Sequence, residues 1–208
     1  LQDLKTGQFL KTDWGSVRPS WYLQQSALAL SSLERISMVL AGETHVFPQL
    51  ENLRAIWSAG AGTEPEAWCL ARSIKGQDGS DAPNIKTLLE QGASGVAVRM
   101  WLLSVSYKKP LVFSEQSLAM WEKNLRRIAS AAEHLGLSQG ADLSVPDGHQ
   151  GLESELEHYM ENDVSLHLFW PKLFEFIKKV SKVANDSKQE MAEMSADLLH
   201  VNRVLGLF

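Results

Sequence analysis

Cysteine is almost missing from this chain. Cys69 is the single cysteine among 208 residues, which excludes an internal disulfide and any metal centre that draws two or more cysteine ligands from this chain. A basic excess is missing too. Twenty basic side chains against 25 acidic ones leave a formal net charge of −5, so the chain lacks the positive field of non-specific nucleic-acid binders. No apolar run approaches the ~18 residues that span a bilayer, and the N-terminus lacks the basic-then-apolar order of a signal peptide. The first residue is Leu1 rather than Met, which points to processing or excision from something longer. What remains is an ordinary globular composition, 44% hydrophobic and 22% charged. The expectation is a soluble, cytoplasmic protein with no membrane association.

The two halves differ. Residues 1–110 hold 11 basic and 10 acidic side chains, whereas residues 111–208 hold 9 and 15. In the first half, Trp21 to Leu30 reads as a helix opened by Pro19 and Ser20. Arg35 to Leu40 reads as a buried strand ended by Gly42, and Glu66 to Ala71 as a second. Between them Pro48 fits the first turn of a helix that carries Leu50, Leu53, Ile56 and Trp57 on one face, with Gly60 and Gly62 as its stop. Gly76 to Pro83 is a polar loop, Asn84 is a cap for a helix through Leu88 and Leu89, and Gly95 to Val105 is a further apolar helix. Strands alternating with helices argue for α/β packing around a parallel sheet.

The second half is helical throughout. Ser114 caps a helix bearing Leu118, Trp121, Leu125, Ile128 and Leu135, closed by Gly136. Residues 136–151 read as an exposed linker. Helices follow around Leu152, Leu156 and Tyr159, and from Ser165 to Val180, where Pro171 predicts a kink. Met191, Met194, Leu198, Val201 and Leu205 recur in steps of three and four, the seam of a bundle. The expected fold is therefore α/β followed by all-α, with domains at 1–110 and 111–208.

Chemistry-bearing residues are sparse. Cys69 lies in the run Ala67-Trp68-Cys69-Leu70, where an inert thiol is the favoured reading. There is no G-x-S-x-G nucleophile elbow, and Gly60-Ala61-Gly62 follows a helix rather than a strand, the wrong setting for a phosphate loop. Glu153, Glu157, His158 and Glu161 place carboxylates and an imidazole along one helix, where a solvated acidic face competes with a metal site. Lys178, Lys179 and Lys182 with Arg126 and Arg127 form small basic clusters, more often solvated than ligand-bound. Residues alone build no catalytic constellation.

One stretch carries a resemblance. Trp14-Gly15-Ser16-Val17-Arg18-Pro19-Ser20-Trp21-Tyr22-Leu23-Gln24-Gln25-Ser26-Ala27-Leu28 resembles the pattern W-G-x-G-R-P-G-W-H-I-E-C-S-A-M of the cysteinyl-tRNA synthetase family. Phe47-Pro48-Gln49-Leu50-Glu51-Asn52-Leu53 is similar to its F-P-H-H-E-N-E. Ile85 to Ser104, Tyr107 to Ser114 and Met160 to Val180 follow later segments in order, and Val204-Leu205-Gly206-Leu207-Phe208 stands where the family has V-L-G-L-L. The resemblance implies the C-terminal half of a class I enzyme. That half comprises a partial class I nucleotide-binding (Rossmann-like) parallel sheet, stem-contact-like helices and a C-terminal helical bundle resembling the anticodon-side domain.

The departures fall on the family's chemistry. In the family, zinc reads the cysteine substrate's thiolate. The positions matching three of its ligands are here Gln25, Gln49 and Leu53, which with Trp21 form a substrate-pocket remnant. Val39-Leu40-Ala41-Gly42 stands in place of the glycine-rich H-G-G-G near ATP. The K-M-S-K-S loop has only a faint echo in Arg72-Ser73-Ile74-Lys75, and H-I-G-H has no counterpart. Charge stabilisation at the phosphates is most of what such an enzyme supplies to adenylation. The expectation is therefore no catalytic residue, no metal and no cofactor, the zinc and ATP sites having been lost.

Three readings follow. The first is a catalytically inactive synthetase-like protein (a pseudoenzyme) acting as a protein-binding module, with a protein partner or a second copy as its occupant. The second is a non-catalytic tRNA-binding module, against which the acidic second half weighs. The third is the C-terminal portion of a cysteine–tRNA ligase that needs a separate N-terminal half. A short parallel sheet leaves edges and apolar faces uncovered, so Trp14, Trp21 and Trp57 are the candidate interface. For Trp21 by itself, a core aromatic is the favoured role.

Overall fold

The computed structural model describes residues 9–13, 15–17, 19–137, 151–183 and 188–208. Trp14 and most of the expected linker over 136–151 lie outside the described residues. The chain divides into two compact units, Leu1–Ser73 and Ile74–Phe208.

The first unit opens with a short antiparallel pair, β1 (Leu10–Thr12) and β2 (Gly15–Val17), which the sequence reading misses. Helix α1 (Trp21–Ser32) starts where expected, because the Ser20 hydroxyl accepts the Leu23 N–H. Strand β3 (Met38–Gly42) pairs in parallel with β4 (Ala67–Ala71), Met38 opposite Ala67 and Gly42 opposite Ala71. The first of these strands sits a few residues later than Arg35 to Leu40. A 3₁₀ turn (Glu43–His45) and an irregular turn (Val46–Leu50) lead into α2 (Glu51–Ala61). The helix begins after Pro48 rather than around it, because Phe47 is held extended at φ −126° and ψ 133°, the bias a following proline imposes. Gly62, at φ 62°, ends the helix in the left-handed conformation that glycine adopts without a Cβ clash.

The first unit's core is small. Ile36, Leu50, Leu53 and Trp57 are buried, and Tyr22, Ala29, Leu30, Val39, Ala41, Val46 and Leu70 pack against them. Val39 and Ala41 share one face of β3, so Met38 and Leu40 point to the other. That second face is uncovered: Leu40 is 69% exposed.

The second unit begins with β5 (Ile74–Gly76), which pairs in parallel with β6 (Leu111–Phe113). Between them lie α3 (Ile85–Glu90), capped by Asn84, and α4 (Gly95–Leu102). Helix α5 (Glu115–His134) opens on a reciprocal Ser114–Ser117 capping box. Helices α6 (Leu152–Glu161), α7 (Leu166–Val180) and α8 (Lys188–Leu205) complete it. Helix α7 continues through Pro171. One core joins these helices: Val98, Met100 and Trp101 with Leu118, Trp121 and Ile128, and with Phe169, Trp170, Leu173, Leu198 and Val201. Trp121 meets Trp170 edge-on at 5.4 Å, and the Trp170 indole donates to the Leu103 carbonyl at 3.0 Å.

The expected boundary at 110 therefore cuts through a packed unit. α3 and α4 bury their apolar faces in the bundle core, which moves the division to 73. The bundle seam holds as read, with Leu198, Val201 and Leu205 buried and Met191 and Met194 packed alongside.

Candidate functional site

The positions expected to be a pocket remnant occupy two packed helices and the turn that leads into the second. Trp21 and Gln25 sit on α1, Gln49 just before α2 and Leu53 within it, and α1 packs against α2. Tyr22, Ala29 and Leu30 turn one face of α1 into the core, and Ser26, fully buried, lies on the same face. That choice leaves Trp21 outside. It is 55% exposed and meets only the edge of Tyr22 among described aromatic rings, at 5.5 Å. The core role favoured for it from sequence is corrected: one residue of offset on a 3.6-residue helix carries it off the buried face. Trp57 is corrected the other way. It is 4% exposed and lies against Trp68 at 6.4 Å, so it is a core residue and not an interface residue. Trp14 lies outside the described residues.

Gln25 faces solvent and Leu53 is buried among Ile36, Leu50 and Trp57. The Gln49 side-chain oxygen is buried and finds no hydrogen-bond partner among the described residues. Two amides and an alkyl group do not fit zinc. A neutral amide oxygen is a weak donor to it, and leucine offers no lone pair at all.

The stretch that faintly echoes a phosphate-binding loop is occupied by the chain's own carboxylates. Glu43 accepts the Arg72 guanidinium and the Ser73 backbone N–H, the latter at 2.9 Å. Those bonds, the Ser73 N–H foremost and the guanidinium next, hold the Glu43 carboxyl below its usual range. In the second unit, Lys75 pairs with Asp81 at 2.8 Å and lowers that carboxyl likewise. Both cations of the stretch are thereby neutralised within the fold.

Of the acidic residues on α6, Glu153 and Glu157 converge with His200 of α8, their ligand atoms lying within 4.8 Å of one another. Sequence reasoning groups these carboxylates with His158, which instead meets the edge of Tyr159 at 5.2 Å. His200 Nδ1 lies 3.0 Å from Glu153 Oε1, an ion pair when the imidazole is protonated. A helix-to-helix pairing of this kind has no local sequence signal.

Among the described residues, no helix is long and apolar enough to cross a membrane.

No protein-family model matches the chain. Individual relatives do. The cysteine–tRNA ligase of Prochlorococcus marinus (strain AS9601) is 28% identical over 165 residues, covering 76% of this chain and 34% of that protein. The cysteine–tRNA ligase of Geotalea uraniireducens (strain Rf4) is 26% identical over 240 aligned residues, covering 100% of this chain and 48% of that protein. Among solved structures, LeuRS of Agrobacterium radiobacter K84, crystallised as a ternary complex with tRNA and LeuAMS, superposes with a TM-score of 0.58. It shares 14% identity over 96% of this chain and 32% of that one, a likeness of fold alone. The chain spans less than half the length of each of these proteins. It is a homologue of the cysteine–tRNA ligases, matched along its whole length by a portion of theirs.

Proposed function

We propose that the chain is a non-catalytic synthetase-like protein whose first unit docks on another polypeptide, either a second copy or a protein partner. The β3–β4 pair is read as a remnant of a class I nucleotide-binding sheet. The observation that carries this reading is the uncovered face of that pair. Parallel strands are normally buried on both faces, yet among the described residues β3 pairs with β4 alone and leaves Met38 and Leu40 more than half exposed. Trp21, Leu23 and Leu28 on α1 and Phe47, at 80% exposed, add further apolar surface to the same unit. Exposed apolar area on this scale marks an interaction site more often than a free surface.

The loss of catalysis is supported by side-chain chemistry. Gln25, Gln49 and Leu53 cannot assemble a thiolate-reading zinc, and Arg72 and Lys75 are held by Glu43 and Asp81. Light scattering at micromolar concentration, with tryptophan quenching, tests the docking. The expected result is a mass above the 23.2 kDa chain that Leu40→Glu returns to one chain, or a single chain whose Trp21 is open to quencher. A monomer with every tryptophan shielded would remove the reason for a partner.

A further inference from the structure

The second unit carries a groove of about 340 Å³ between the C-terminal halves of α5 and α7. Its lining is Arg127, Ser130, Ala131 and His134 from α5, with Ile177, Lys178 and Ser181 from α7 and its cap. None of the seven is acidic, although residues 111–208 hold 15 acidic and only 9 basic side chains. From the described geometry we infer that this groove binds a phosphate group, and the inference does not rest on the docking role of the first unit.

Four features of the groove support this. First, neither Arg127 nor Lys178 makes an ion pair with a described residue, whereas the neighbouring Lys179 is taken by Glu175 at 3.3 Å. Second, the Arg127 guanidinium is held in place: its carbon lies 5.3 Å from the Phe174 ring centroid, and Nη1 donates to Asn124 Oδ1 at 3.2 Å. A stacked guanidinium loses less side-chain freedom on meeting an oxyanion and keeps its remaining N–H groups for it. Third, the Ser130 hydroxyl is a neutral donor in the lining, the Ser181 hydroxyl being spent on the Lys178 carbonyl at 2.9 Å, and Ala131 and Ile177, each 4% exposed, are the apolar part of the lining. Fourth, the charge balance favours an anion. The carbonyl ends of α5 and α7 each contribute roughly half a negative charge. Arg127 and Lys178 together outweigh them, and His134 adds to the surplus when protonated.

A phosphate group reaches such an open groove from two sources, a phosphorylated small molecule or the backbone of an RNA strand. Both offer the same oxyanion to the same cations. Titration calorimetry of the full chain at low salt, with pyrophosphate and separately with a short single-stranded RNA, tests the site and tells the sources apart. Neutralising Arg127→Gln and Lys178→Gln together is expected to weaken binding about tenfold or more, while Lys86→Gln, on a cation outside the groove, leaves it unchanged. Arg127→Lys is expected to recover part of the loss. Circular dichroism checks that the variants fold, as these exposed side chains predict. Loss of pyrophosphate binding alone identifies a small phosphorylated ligand, and loss of RNA binding identifies the backbone. The proposal is overturned if the wild-type chain binds neither probe, or if the double variant binds as tightly as the wild type.

Discussion

Glu43 and Arg72 form an ion pair across 29 residues of sequence, and the same carboxylate takes the Ser73 backbone N–H. The pair ties down Arg72, in the segment that only faintly echoes the family's K-M-S-K-S loop in sequence. ATP–pyrophosphate exchange with each amino acid is therefore expected to stay at background. Exchange that vanishes on Lys75→Ala would overturn the non-catalytic reading.

The zinc prediction follows from the donor set at Gln25, Gln49 and Leu53. Elemental analysis of purified protein is expected to find far less than one zinc per chain. Any zinc that is found should leave with His200→Ala, which removes the imidazole of the Glu153–Glu157–His200 group. Stoichiometric zinc that survives this substitution would contradict the expectation.

Acid should weaken both units. Glu43 is lowered by the Ser73 N–H and Arg72, and Asp163 by Lys108 and then by the Tyr107 hydroxyl, which donates at 2.6 Å. A carboxyl whose folded pKa lies below its unfolded value adds stability above the unfolded value. That contribution is lost as pH falls through the folded one. The melting temperature should therefore drop as pH falls below the ordinary carboxylate range near ~4. In Asp163→Asn the drop should be shallower, because that contribution is already absent at neutral pH.

Val164 stands at φ 51°, next to Asp163 at φ 57°. A β-branched side chain is strained in this left-handed region by roughly 1–2 kcal/mol. Val164 is nearly half exposed, so little packing is lost with its side chain. Val164→Gly is expected to stabilise the protein or leave it unchanged, and Val164→Asn to behave similarly. Denaturant unfolding checks the sign, and a loss above about 1 kcal/mol would show that packing outweighs strain.

Asp197 on α8 caps α6 from a distance of 45 residues, accepting the Leu152 N–H at 2.9 Å. A Cβ on Gly151 would come within 2.4 Å of that carboxylate. Asp197→Ala is expected to cost about 1–3 kcal/mol through the uncapped, buried N–H. Gly151→Ala should also destabilise, by pushing the carboxylate away. Melting curves of both variants check this.

The sequence by itself determined the features that act over a few residues. Ser20, Asn84 and Ser114 cap their helices because the acceptor and the N–H lie three positions apart. The α5 and α8 core faces were legible because an amphipathic period needs no knowledge of the partner. That Gln25, Gln49 and Leu53 offer zinc no good donor was legible as well, since ligand chemistry is a property of the residue type. Tertiary structure alone decided the rest. Helix α1 spreads its apolar residues over more than one face, so only packing on α2 could select Tyr22, Ser26, Ala29 and Leu30 as its buried face and leave Trp21 in solvent. The three-residue strands β5 and β6 have too little pattern to be seen, and they exist because chain segments 37 residues apart meet. The helices at 85–102 joined the bundle because their apolar area found its complement there. The neutralised Arg72 and Lys75, like the cationic groove between α5 and α7, depend on where the backbone brings a charge, which no local spacing encodes.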